Sequence, residues 1–423
     1  MASATILKCY KAVCAKDGIE INPLIVEVLE KTAETGNFTL RLKGNNRLKC
    51  IQRLVNNDVC ALSKCLENNE RVTGLDLRYN NIGDAGAERL AHLLQEENSA
   101  LRSLDLTFNN IESSGAEALA NSLQFNSSLL SLRLSGNKIG NSGGVRLANM
   151  LQLNNTLQEL QLADCDLSIE SVTALGIMLK HNKALRSVDV SRPLLFSQRA
   201  EWTVHFSEML VANSSLVELH LGKMGITDSA MERLADGLRV NRSLCYLDLR
   251  CNRVSRDGAQ YLAEVLKENT ALEVVDLSSN RIQDEGAVYL SEAIVWPGCV
   301  LRELSVRSNS IKTEGLLSLA EAMRFNTTLT HLYVWGNQLE ESVCQAFSDL
   351  ASSGRLPMDQ TDVSSYQVDG HVFLAEVFHD LRKRFYGTKI CFDTDLNVTT
   401  ETSSHAATSA DATFQLHTEE PLP

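Results

Sequence analysis

The side chains of this chain that can attack carbonyls, relay protons or hold metals are scattered rather than grouped. Eleven cysteines lie at positions 9, 14, 50, 60, 65, 165, 245, 251, 299, 344 and 391, with no CxxC pair and no Cys/His cluster at zinc spacing. No metal site is expected from such a distribution. An odd number of thiols behind a start that lacks a signal-peptide run points to free cysteines in a reducing compartment. The nine histidines lie apart, and His220 and His331 fall at strand positions expected to point outward. A Gly-rich phosphate loop, a nucleophile elbow and HExxH are all missing. The chain is read as a non-enzyme with no catalytic residue and no cofactor. What remains is the chemistry of recognition. Exposed aromatic side chains carry interface energy, and mixed charge selects a partner. The residues that fit are Tyr79 and Phe108, then His331, Tyr333 and Trp335, with Asp76, Arg78, Asp105, Asp248, Arg250, Asp276 and Arg307 interleaved. Interface hot spots and contact with the chain's own flanking segments are both open readings of the aromatics.

These residues are positioned by a repeat. An LxxLxLxxNxI phrase restarts at Val72, Leu101, Leu129, Leu157, Leu185, Leu216, Leu244, Leu272, Leu301 and Leu329, in steps of 28 to 31 residues. A fixed period of this size marks a stacked-repeat architecture. In residues 101–128, Leu101, Leu104 and Leu106 alternate with polar residues as a strand does; Asn109 and Ile111 follow, Ser113 is read as a helix N-cap, and Leu119 and Leu123 keep helical spacing. So short a unit cannot bury both apolar faces alone, so units must stack. The expected fold is an α/β leucine-rich-repeat solenoid, a horseshoe with parallel strands on its concave face and helices on its convex face. The outward centre column then reads Arg41, Asp76, Asp105, Arg133, Gln161, Asp189, His220, Asp248, Asp276, Ser305 and Tyr333. Its aspartates are expected to be solvated and structural. Tyr79 and Phe108 share one repeat position and should sit side by side.

Two columns of asparagine accompany the leucines. The first holds Asn80, Asn109, Asn137, Asn252, Asn280, Asn309 and Asn337, with Cys165 as a substitute; the second holds Asn69, Asn98, Asn126, Asn154, Asn182, Asn213, Asn241, Asn269 and Asn326. A carboxamide both donates and accepts, so such a column can satisfy the backbone where the chain turns. Five members of the second column match the glycosylation sequon (Asn126, Asn154, Asn213, Asn241, Asn326). A packing column leaves no room for a glycan on each rung, so these matches are read as accidental.

The 423 residues are 44% hydrophobic and 22% charged, with a formal net charge of −13. No stretch approaches the ~18 apolar residues of a membrane span. The acidic balance argues against binding nucleic acid, which needs clustered Lys and Arg, and favours basic partners. A monomer is expected. Residues 1–36 read as an N-terminal helical cap, with Pro23 at a favoured first helical position. Residues 37–71 read as a degenerate first repeat, and 72–353 as ten repeats. The unit 185–215 is irregular: it is longer, has Pro193 at the ladder position and inserts LLFSQRAEW. That insertion is either a tolerated loop or a protrusion using Phe196 and Trp202. Residues 354–396 read as a C-terminal cap. Within it, 368–387 place Leu374, Val377, Phe378, Leu381 and Phe385 on one helical face, for docking on the last repeat or in another protein's groove. Residues 397–423, rich in Thr, Ser and Ala, are expected to be disordered.

The phrase LDLRYNNIGDAGAERLAHLL resembles the ribonuclease-inhibitor class of intracellular leucine-rich repeats over 72–350. The N-terminal cap, the interrupted middle unit and VDGHVFLAEV at 368–377 narrow the resemblance to one subfamily of that class. It implies a non-enzymatic protein of germ and stem cells, in the cytoplasm and nucleus with the nucleolus included, acting in development and differentiation through bound, possibly basic or nucleolar, proteins. The closing segment also resembles the ends of repeat proteins of motile cilia, which leaves a structural role in the axoneme as an alternative. A GTPase-activating role is a third, because one such family uses this repeat.

Overall fold

The computed structural model describes residues 2–32, 36–45, 51–95, 100–194, 201–378 and 381, all within one compact unit, Met1–Ile390. Among them, eleven short strands from Phe38–Arg41 to His331–Tyr333 form one parallel sheet whose strand order is the chain order. Each strand leads into a helix, as Ser103–Asp105 into Ser113–Leu123 and His331–Tyr333 into Glu341–Ser352. The middle residue of each strand points to the helices. Leu104, Leu132, Leu160, Val188, Leu219, Leu247, Val275, Leu304 and Leu332 pair neighbour to neighbour as one buried row. Burying each such side chain is worth roughly 1.5–3 kcal/mol. Strands pack about 4.8 Å apart and helices about 8–10 Å apart, so equal numbers of each bend the stack with the sheet inside.

The asparagine columns make the bonds expected of them. Asn109 Nδ2 donates to the carbonyls of Leu77 and Leu106, both at 2.9 Å, and its Oδ1 accepts from Ile82 N at 3.1 Å. Cys165 Sγ takes over the donor part, reaching Leu134 O at 3.2 Å. In the second column Asn154 donates to Leu123 O and Asn126 O and accepts from the amides of Thr156 and Leu157. The sequon residues Asn126, Asn154, Asn213 and Asn241 are buried in this way.

A third column is new. Ser113 is the first residue of its helix and its predecessor Glu112 makes no side-chain cap, contrary to the N-cap expected from the sequence. The cap comes from the repeat before: Asp84 Oδ1 accepts from Glu112 N at 2.7 Å. Asp228 likewise serves Ser255 N and Gly258 N, Asp284 serves Lys312 N and Gly315 N, and Asn56 serves Gly83 N and Gly86 N. Helix N-termini need such acceptors, and at these four helices the preceding unit supplies them.

At the N-terminus two helices, Ala2–Asp17 and Pro23–Lys31, precede the strand Phe38–Arg41. Asn22 caps the second through Leu24 N at 3.0 Å. In the irregular unit Trp202 is buried, edge-on to Phe206 at 5.2 Å between centroids, so it is core and not part of a protrusion. Phe196 lies outside the described residues.

The C-terminal end departs from expectation. No helix begins at 368: Val363–Val368 and His371–Glu376 form an antiparallel hairpin. The two residues between them, Asp369 and Gly370, both take positive φ (49° and 84°), the primed turn whose twist suits paired strands. Val372 and Leu374 then alternate with exposed His371 and Phe373, a period of two that a helical reading of the same residues overlooks. Phe385 and the tail expected from 397 lie outside the described residues. The hairpin packs on the helix Glu341–Ser352 through Val363, Val372 and Leu374.

Asp362, just before the hairpin, ends the sheet. In earlier repeats the amide after each strand donates to a carbonyl of the next strand, as Leu277 N to Ser305 O and Val306 N to Tyr333 O. Val334 N and Trp335 N follow the last strand of the sheet, and the Asp362 carboxylate accepts from both, at 2.9 and 3.0 Å. Arg307 lies 3.1 Å from the same carboxylate. Burial holds this carboxyl above the usual range in spite of the amides of Val334 and Trp335 and the Arg307 charge. Together with the parallel bridge between Leu332 and Thr361, this side chain takes the place of a further strand at the edge.

Candidate functional site

The face of the sheet turned away from the helices carries all the residues singled out from the sequence. It falls into three stretches. At the N-terminal end Asp76 and Asp105 are neighbours across the strands. Arg78 grips Asp76 through two bonds, 2.9 and 2.7 Å, and reaches Asp105 at 3.3 Å. Lys43 approaches Asp76 from the other side at 3.4 Å, while Arg133 continues the chain from Asp105 (3.6 Å) to Glu159 (3.1 Å). Burial would raise the Asp76 carboxyl, but Arg78 and Lys43 hold it below its ordinary value. These aspartates were expected to be solvated; they are buried. Side chains on adjacent strands stand ~5 Å apart, so arginine stems close over the carboxylates between them.

Tyr79 and Phe108 stack beside this network, ring centroids 5.0 Å apart and planes 16° apart. Both belong to a column with left-handed backbone, one residue per repeat: Tyr79, Phe108, Gly136, Asp164, Arg192, Lys223, Cys251, Ser279, Ser308 and Gly336, with φ from 51° to 80°. A side chain in that conformation costs on the order of 1–3 kcal/mol, and a bulky aromatic there is rare. Gly136 has no choice, since a Cβ would meet Phe108 Cδ1 at 2.4 Å. Phe108 therefore lies between the Tyr79 ring and the Gly136 backbone, with 46% of its surface still open to water.

In the middle stretch His220 is sandwiched. Its Nε2 lies 2.5 Å from Glu218 and its Nδ1 3.1 Å from Asp248, and Arg250 lies 2.8 Å from Asp248. Burial alone would depress the imidazole, but the bonds to Asp248 and Glu218 carry its pKa up to about 10. Asp248 is held low by His220 and Arg250 against its burial, while Asp276 is pushed up by burial and by the Asp248 charge beside it. Two buried carboxylates around one imidazolium form a structural triad; nothing in it leaves room for a substrate.

At the C-terminal end the expected group of aromatics is taken up by the chain itself. Arg307 binds Asp362 and, at 2.5 Å, Glu376 of the hairpin. Trp335 is half-buried against the core with its backbone on Asp362. His331 lies against Tyr333, centroids 6.4 Å apart, and bonds Thr330 Oγ1 at 2.8 Å. Tyr333 is buried in a small cluster with Tyr246, Val274 and Leu381, apart from the main core. Sequence reading missed Glu218, Tyr246 and Val274. Their signal was available: a three-residue strand shows both its first and third residues on one face, and only the third column was read.

Among the described residues, no group of three or more His, Cys, Asp and Glu side chains is placed to hold a metal ion, and no helix is long and apolar enough to cross a membrane. Burial pushes the Cys165 thiol up to about 12, away from reactivity.

The Leucine Rich repeat family matches residues 68–91, 97–120, 125–148, 153–176, 240–263, 268–291 and 299–320. Three curated relatives named leucine-rich repeat-containing protein 34 match at greater length. The Homo sapiens protein is 57% identical over 387 residues, covering 90% of this chain and 83% of its own. Those of Mus musculus and Rattus norvegicus are 49% and 53% identical, covering 89% and 90% of this chain and 92% of theirs. Among solved structures, an internalin of Listeria monocytogenes aligns with TM-score 0.41 and 16% identity over 79% of this chain and 89% of its own. The chain is a leucine-rich-repeat protein and, within that class, belongs to the family of leucine-rich repeat-containing protein 34.

Proposed function

We propose that this chain is a non-enzymatic scaffold that binds other proteins through the open face of its sheet, with the N-terminal stretch as the contact. The observation that carries the reading is the Tyr79–Phe108 stack: two aromatic rings on left-handed backbone, Phe108 half-open to water and Tyr79 partly buried against it, on a rigid ladder. The left-handed backbone recurs in every repeat, but the fold asks for no aromatic ring there, and two adjacent repeats carry one. Asp76, Arg78 and Asp105 beneath the rings are paired among themselves, so they offer directional hydrogen bonds rather than a bare charge. Asp248, Arg250 and Asp276 continue the polar column toward the other end. A setting in the cytoplasm, nucleus and nucleolus of germ and stem cells, with a regulatory part in differentiation, is supported by the resemblance of the whole chain alone.

The test is the double variant Tyr79→Ala with Phe108→Ala in affinity purification with mass spectrometry. Co-purifying proteins should drop at least fivefold while the melting temperature stays within a few degrees. Full retention of partners by a folded double variant would remove this end as the contact.

A further inference from the structure

The open face carries, in its C-terminal half, an apolar patch separate from the main core: Tyr246, Val274 and Tyr333, closed by Leu381. The three patch residues project from strands on the side away from the helices, where the N-terminal half shows charges instead. Leu381 retains 3% of its surface, whereas Phe378, three residues before it, retains 98%. The end of the hairpin, just before Leu381, is tied down beside the face: Val377 N donates to Asp362 O at 3.0 Å and Glu376 binds Arg307. Carboxylates surround the patch. Glu218 and Glu303 stand beside Tyr246 and Val274 in the first outward column, and Asp248 and Asp276 stand in the third. His220 lies between Glu218 and Asp248, and Arg250 binds Asp248. In the sequence Leu381 is followed directly by Arg382, Lys383 and Arg384.

We infer that Tyr246, Val274 and Tyr333 form a docking site for a leucine flanked by basic residues, which this chain's own Leu381 fills in cis, and which a partner segment of the same chemistry enters by displacing it. A tethered occupant acts as a competitor at high effective concentration, on the order of millimolar for a short link, and so lowers the apparent affinity of any free ligand. The site lies at the opposite end of the face from Tyr79 and Phe108 and goes beyond the binding proposed there.

The probe is a fluorescein-labelled peptide of residues 377–387, VFHDLRKRFYG, titrated by anisotropy into the full-length protein. Leu381→Asp should bind it at least tenfold more tightly than the wild type, whose site is already filled. Leu381→Ala, a milder change that decides the matter if the aspartate variant melts early, should shift the same way by a smaller step. Adding Val274→Lys to Leu381→Asp should return binding to the wild-type level. A peptide whose leucine is replaced by aspartate should not bind, and one whose three basic residues are serine should lose at least fivefold. Equal affinity for wild type and both Leu381 variants, or no binding to any of them, would overturn the proposal. Full binding of the serine peptide would overturn its basic-flank requirement. No partner protein enters this experiment and Tyr79 and Phe108 are untouched, so its failure and that of the N-terminal reading are distinguishable.

Discussion

The two ends of the sheet's open face carry similar residues and treat them oppositely. At one end Tyr79 and Phe108 stack against each other and Phe108 remains open to water; at the other Tyr333 lies buried with Leu381 and Trp335 leans on the core. The difference lies in the flanking segment that adjoins each end. The N-terminal helix Ala2–Asp17 packs on the helix Asn56–Leu66, in the helical layer, while the C-terminal hairpin returns toward the face through Arg307 and Asp362. An aromatic side chain on a repeat surface is available to a partner only where the chain does not come back over it.

Substitutions can break or sharpen that contrast. The largest effect should come from the middle stretch: His220→Ala removes the cation held between Glu218 and Asp248, leaving Asp248 with Arg250, and should cost about 3–5 kcal/mol in urea unfolding. A loss under about 1 kcal/mol would show that the triad does not hold the face together. Next comes Asp362→Ala, which leaves the amides of Val334 and Trp335 without this acceptor and removes one of the carboxylates that hold Arg307. It should cost about 2–4 kcal/mol and speed hydrogen exchange at those two amides while Tyr79 and Phe108 keep their protection. Uniform loosening at both ends would mean that they are not independent.

The pH dependence is subtler. His220 is raised from 6.5 in the unfolded chain to about 10 in the folded one. Below pH 6.5 both states hold the proton and the stabilisation is complete; above it the unfolded chain lets the proton go while the folded chain keeps it. Stability should therefore fall with a slope of about one proton between pH 6.5 and 8.5, before thiols and phenols of the unfolded chain titrate. Urea midpoints across that window give the slope, and side-chain NMR at pH 8 should find this imidazole still charged. The smallest effect belongs to Phe108→Gly. Losing the stack costs about 0.5–1.5 kcal/mol, and relief of the left-handed strain returns a similar amount, so the net change should stay below about 1 kcal/mol.

Much of this was legible in the sequence, for a physical reason. In a stacked repeat every column is a contact, so equal phase implies adjacency; that is why Tyr79 meets Phe108 and why the asparagines line up. Properties that depend on a neighbouring column or on a returning segment were not legible. The aspartates looked solvated because nothing in LDL shows that Arg78 or Arg133 folds over them. The helix caps looked local because Ser113 sits at the right place, whereas the acceptor is Asp84 from the unit before. The hairpin was in view as Asp369-Gly370, but leucine, valine and phenylalanine at 374–381 also fit a helical face, and only the turn chemistry separates the two. Leu381 belongs to no repeat, so no phase could place it.

Asp362 has a consequence for how such a chain can change its length. Its carboxylate meets one amide that earlier modules also present after the strand and a second that their own strand aspartates bind, as Asp276 binds Ser278 N. The terminator therefore fits a module whose strand ends, as here in Tyr333, without an aspartate. Whole units can be duplicated or lost upstream without redesigning the finish, provided the hairpin travels with the acid. Insertions of fractional units have no such licence, because they would deliver those amides out of step.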